Sequence, residues 1–145
     1  MIFSETSPAV NKADIEQIEK DLGIVFPNDF VRHYLKHNGG YPEADTYKWH
    51  NGESTTVNTF YSLKYEGFGK VEDTYENLVL AEKYLPSGLV VFATDDGGNF
   101  FCVSVREEDY GKVYYFNNDH FDVTKPEAAL TLLEDAFADF IAHLS

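Results

Sequence analysis

Along residues 11–22, NKADIEQIEKDL, apolar side chains recur at Ile15, Ile18 and Leu22, the spacing of one helix face. Asn11 stands at the N-cap position, Asp14 makes a partial capping box with it, and Gly23 is a stop. The next stretch, FPNDFVRHYLKHNGG, predicts a second helix. Pro27 suits its start, where a missing N–H donor is not needed. Asp29 lies toward the positive end of the helix dipole, and Arg32, Lys36 and His37 lie toward the negative end. Phe30 and Tyr34, joined by Val31 and Leu35, form the apolar face. Asn38, Gly39 and Gly40 end the helix, with Pro42 just beyond.

The pattern then shifts toward Thr, Tyr, Val and Phe. Residues 46–66 predict a short strand near 46–50, a turn at Asn51-Gly52 and a longer strand near 55–63. Residues 72–85, EDTYENLVLAEKYL, predict a helix with Leu78, Ala81 and Leu85 on a stripe, terminated by Pro86 and Gly88. Runs at 89–94, 99–105 and 112–116 are β-branched or aromatic and predict an antiparallel meander. A polar loop follows at 117–126. The tail TLLEDAFADFIAHL predicts an amphipathic helix with Leu133, Phe137, Phe140, Ile141 and Leu144 inward. PEAAL before it either extends that helix or forms a separate turn. Helices before and after a hairpin-linked sheet argue for an α+β fold. The expectation is one domain over 1–145, an antiparallel meander packed with N-terminal and C-terminal helices.

A length of 145 residues and 43% hydrophobic content fit one globular core. The formal net charge of −14, from 25 acids against 11 bases, repels phosphate backbones and argues against nucleic acid as a direct partner. The same field attracts basic proteins, or serves only solubility. The single cysteine, Cys102, sits among apolar strand residues and reads as a buried thiol. The first residues lack the basic and apolar regions of a signal peptide, and no apolar run approaches membrane-spanning length. The expected location is the cytoplasm, away from membranes.

Tests for chemistry return structural readings. No Gly-x-Ser-x-Gly elbow is present, and Cys102 lies within a strand. His33 and His37 are four residues apart on a helix, but a third ligand and the His-Glu-x-x-His pattern are missing. The acid pairs Asp95/Asp96, Glu107/Glu108/Asp109 and Glu134/Asp135 read as turns or solvated faces. DDGGN is not an EF-hand loop, and GFGK lacks the rest of a phosphate cradle. No catalytic residue, metal or cofactor is therefore expected. Tyr47, Trp49, Tyr61, Tyr114 and Tyr115 belong either to the core or to a protein-binding face.

The remaining signal is a combination of blocks in order: FPNDFVRHYLKHNGGYP, LPSGLVVFATDDGGNFFCVSV, GKVYYFNND and LEDAFADFIAHL. Together they resemble the SUKH superfamily, which includes fungal cell-wall synthesis regulators and many bacterial immunity proteins. The resemblance covers nearly the whole chain and is weak over 41–75. Ala136 stands where the family commonly has serine before Phe137. The resemblance implies a non-enzymatic protein that binds a toxin domain, often a nuclease, in the cytoplasm of its producer. A regulatory or scaffold module like the fungal regulators is the alternative; the absence of long disordered flanks favours the former. Exposed acids and aromatics chosen from composition give the candidate partner-binding set: Tyr47, Trp49, Glu66, Asp73, Glu107, Glu108 and Asp119.

Overall fold

A computed structural model describes all residues from Met1 to Ser145. Strand β1 (Phe3–Ser4) precedes helices α1 (Lys12–Leu22) and α2 (Asn28–Lys36). Strands β2 (Tyr41–Pro42), β3 (Thr46–Lys48) and β4 (Ser54–Phe60) follow, then the single turn α3 (Val71–Thr74). The rest comprises β5 (Leu89–Asp95), β6 (Phe100–Ser104), β7 (Val113–Phe116), β8 (Leu130–Glu134) and α4 (Phe137–Ala142). The strands β3 to β8 form one sheet in sequence order, every neighbour antiparallel, while β1 and β2 pair separately.

Both N-terminal helices form where the pattern places them. Asn11 accepts the Asp14 amide at 2.8 Å, the Asn11 amide donates to Asp14 at 3.0 Å, and Gly23 closes α1 in the left-handed region. In α2, Phe30 and Tyr34 are fully buried and Val31 is half-buried, but Leu35 faces solvent. One face of the sheet meets α2 and α4 through aromatic rings. The Phe92 centroid lies 5.0 Å from Phe137, 5.5 Å from Phe140, 5.6 Å from Phe60 and 6.4 Å from Phe30. His33 packs into this cluster, edge-on to Phe137 at 5.3 Å, and burial holds its pKa down at about 3. On the opposite face Phe116 lies 5.5 Å from Tyr84.

Two elements depart from the periodic reading. The helix expected over 72–85 is one α turn that widens into a π-helix at Tyr75–Ala81, with the Glu82 amide donating to Asn77 O at 2.9 Å. The wider turn changes which residues share a face. Val71, Tyr75 and Val79 are buried, whereas Ala81 is exposed and Leu85 is buried beyond the helix end. The expected helix over 131–144 splits: Leu130–Glu134 is β8, and only Phe137–Ala142 is helical. Strand β7 would otherwise present an unpaired backbone edge, and pairing with 130–134 satisfies it. PEAAL does not extend the helix; its first residues form a separate 3₁₀ turn at Pro126–Ala129. Ala136 gives α4 no side-chain cap, and Asp29 substitutes from α2 by accepting the Ala138 amide at 2.9 Å.

The Asn-Gly-Gly segment after α2 is a clasp. Asn38 is 3% exposed, donates to Pro8 O and Leu63 O at 2.9 Å each, and accepts the Leu63 amide at 2.8 Å. It thereby pairs backbone groups of two irregular segments that have no ladder of their own. Gly39 follows at φ +78°, where a Cβ would stand 2.3 Å from Ser62 Oγ.

Replacing Asn38 with Ala leaves the Leu63 amide and carbonyl buried without these partners. Urea unfolding should show a loss of about 3 kcal/mol at unchanged m-value. A loss below about 0.5 kcal/mol, the scale of an ordinary surface change, would contradict the clasp.

Candidate functional site

The sheet curls until a side chain of its first strand reaches its last. The Tyr47 hydroxyl of β3 reaches Glu134 Oε2 at 2.6 Å and lies 3.1 Å from Leu133 O, both at the end of β8. Glu134 Oε2 is also 2.7 Å from His143 Nδ1. The Tyr47 ring stacks on Phe140 at 5.1 Å and 23°. Tyr47 is only 2% exposed, so its expected role as an exposed anchor is corrected: it is a strut across the seam. Burial, then the hydrogen bond to Glu134, pushes its phenol pKa well up. The outer side of β3 is covered by the chain end, with Thr46 and Ser145 exchanging backbone bonds of 3.1 and 2.9 Å. The outer side of β8 has no strand beside it.

Trp49 lies in the same seam, half-buried, with its ring edge-on to Tyr115 at 5.0 Å and 72°. The Tyr115 hydroxyl donates to Asp95. Asp95 is 6% exposed, and its Oδ1 accepts the amides of Gly97 at 2.9 Å and Asn99 at 2.8 Å. Its Oδ2 takes Tyr115, with Thr55 at 3.3 Å and the Asn99 side chain at 3.4 Å. These donors occupy the acceptor capacity of one carboxylate. Asp95 therefore ties β4, β5 and β7 together and closes the β5–β6 turn, while Asp96 stays exposed. Of the two glycines in that turn, Gly98 stands in the left-handed region at φ +82°, whereas the Gly97 backbone is ordinary.

Between Tyr47, Trp49, His50 and Asn51 on one side and Thr131, Leu132 and Leu133 on the other lies a slot of about 190 Å³. The indole N–H of Trp49, one of the lining residues, is buried without a hydrogen-bond acceptor. Such a group carries an uncompensated desolvation cost of about 1–3 kcal/mol.

The remaining candidate residues do not converge on the seam. Glu66 and Asp73 flank Lys70, each at 3.8 Å. Glu107 and Glu108 are exposed in the β6–β7 turn, where Glu108 is 3.9 Å from Arg106. Arg106 binds Asp109, and its Nη1 donates to Glu127 at 2.7 Å. Burial opposes the charge on Asp109, but bonds from Arg106, Ser104 and Tyr114 outweigh it and hold the pKa down at about 2. Asp119 is exposed in a 3₁₀ turn at Asn118–His120, beside the β5–β6 turn to which Asn118 is bonded. Reading 131–144 as a helix hid Thr131 and Leu132 from the site; the Leu130-Thr131-Leu132 alternation is the signal that could have found them. His33 and His37 lie 5.5 Å apart between ring centroids, and no group of three His, Cys, Asp or Glu is placed to hold a metal ion. Cys102 is fully buried, and burial raises its thiol pKa far above the usual range.

A family model described as the SMI1 / KNR4 family (SUKH-1) matches residues 9–143. The chain belongs to this family. No curated protein matches it in sequence.

The contact between His143 and Glu134 predicts a pH signature. The hydrogen bond to Glu134, its largest cause, raises the pKa of exposed His143. Below the unfolded value of about 6.5 the imidazole is protonated in both states, and the pair contributes fully. The contribution is lost as pH rises through the raised folded value. An NMR titration should place the His143 midpoint higher in the wild type than in Glu134→Gln. The stability margin of wild type over His143→Gln should shrink as pH passes that midpoint. An unchanged His143 midpoint in Glu134→Gln contradicts the pairing.

Proposed function

We propose that this chain is a non-enzymatic immunity protein that neutralises a cognate toxin by stoichiometric binding in the cytoplasm, the toxin being a basic domain of the nuclease kind. The observation that carries this reading is the family match over residues 9–143, nearly the full chain. The net charge of −14 supports a basic partner, because an acidic surface speeds encounter with one and can occupy a site built for phosphate. The local chemistry agrees with binding rather than turnover. Asp95 and Asp109 are both engaged in internal hydrogen bonds, and Cys102 is buried. No helix is long and apolar enough to cross a membrane.

The direct experiment is co-expression with a basic nuclease-type toxin domain, taken from the gene's immediate neighbourhood where one is encoded. Cells should survive, and the two chains should co-purify one to one, dissociating more readily as salt rises. Cell death together with no recoverable complex rejects immunity to that toxin.

The exposed acids of the β6–β7 turn give a kinetic prediction. The Glu108 side chain is 74% exposed, so charge reversal there leaves the core untouched. Glu107→Lys with Glu108→Lys should slow association with a basic partner about tenfold at low salt, with less effect on dissociation. An unchanged on-rate removes this turn from the steering surface.

A further inference from the structure

The outer side of β8 has no strand beside it. The Asn117 amide donates to Ala129 O at 2.9 Å, and Tyr115 stands opposite Thr131. Bonded pairs alternate along an antiparallel ladder. Leu132 therefore turns its amide and carbonyl away from β7, where no strand receives them; Leu130 does the same, but its amide points back to Glu127 O of the preceding turn and only its carbonyl is open. Natural edge strands are commonly blunted by lysine, proline or a covering segment. Residues 130–133 are Leu-Thr-Leu-Leu, with no charge and no proline, and Leu132 is 44% exposed. The other terminal strand, β3, is covered by Leu144 and Ser145, so the exposed edge belongs to β8 alone.

The slot lies directly against this edge, since Thr131, Leu132 and Leu133 form one of its walls. An apolar cavity of about 150 Å³ takes a benzene ring, so about 190 Å³ holds one aliphatic side chain. A strand added to an edge supplies these things together: backbone donors and acceptors for the ladder and a side chain for the flanking pocket. Charge selects the occupant. The chain as a whole carries a net charge of −14, although the acids flanking β8 are paired within it, Glu127 with Arg106, Glu134 with His143 and Asp135 with Lys112. A second copy of the chain brings the same charge to the same edge and is repelled. A basic segment is attracted.

We propose that the β8 edge and the Trp49 slot bind an extended, basic segment of the partner protein as an added strand, with one aliphatic side chain seated beside Trp49. This rests on the proposed function only in taking the partner to be a basic protein.

The chain has one tryptophan, so its indole N–H gives a single NMR signal that reports on the slot. The probe is a short peptide of alternating lysine and valine, titrated into the full chain. The Leu132 amide and the Trp49 indole should shift together. Leu132→Lys, which places a repelling charge on an already exposed position, should weaken binding about tenfold. A same-charge peptide interrupted by proline should leave those signals in place. Equal shifts with the interrupted peptide mean charge attraction alone and overturn the added strand. Shifts elsewhere, no shifts, or a concentration-dependent dimer through the same edge overturn it as well. A failed toxin complex beside a successful peptide titration rejects the immunity reading and leaves the edge intact.

Discussion

A curled six-stranded sheet has to resolve what happens where its ends approach one another, and here a single phenol does so. Each strand is rotated by about 20–25° from its neighbour, and the curl brings β3 toward β8. Full closure by a backbone ladder does not occur. Tyr47 instead spans the gap with its hydroxyl on Glu134 and its ring on Phe140. That strut fixes the position of the chain end, because Leu144 and Ser145 pair with the same short strand. It also sets one wall of the slot, and it leaves β8 as an edge with no strand beside it. The seam and the open edge follow from this incomplete closure.

Inside the molecule a related constraint governs the irregular segments. Backbone groups that leave a helix or a ladder still need partners. Asn38 provides them for the segments at Pro8 and Leu63, and Asp95 provides them for the β5–β6 turn. These residues belong to two of the four sequence blocks that carry the family resemblance. Their polar chemistry is spent on holding the scaffold. Glu107, Glu108 and Asp119, exposed at turns, remain available to a partner's field.

What the sequence could show followed from how local each determinant is. The capping box of α1, the aromatic face of α2 and the β5–β7 meander rest on contacts a few residues apart, and all are where the pattern places them. The apolar spacing of the tail satisfies a helix, whereas the competing demand, the open edge of β7, is a long-range fact. The widened turn over Tyr75–Ala81 shifted the buried stripe for a similar reason. Tyr47 looked like an anchor in composition, yet its partners are 86 and 87 residues away. Trp49 did fall in the seam, while Thr131 and Leu132 became visible only once β8 was a strand.

The claim that Tyr47 holds the seam is most directly tested by native-state hydrogen exchange on Tyr47→Phe, which removes the hydroxyl and keeps the ring. The account predicts that protection falls by about 1 kcal/mol at β3, at Leu144–Ser145 and at the end of β8, while β5 and β6 keep theirs. Protection unchanged at the seam, or lowered uniformly across the sheet, would contradict it.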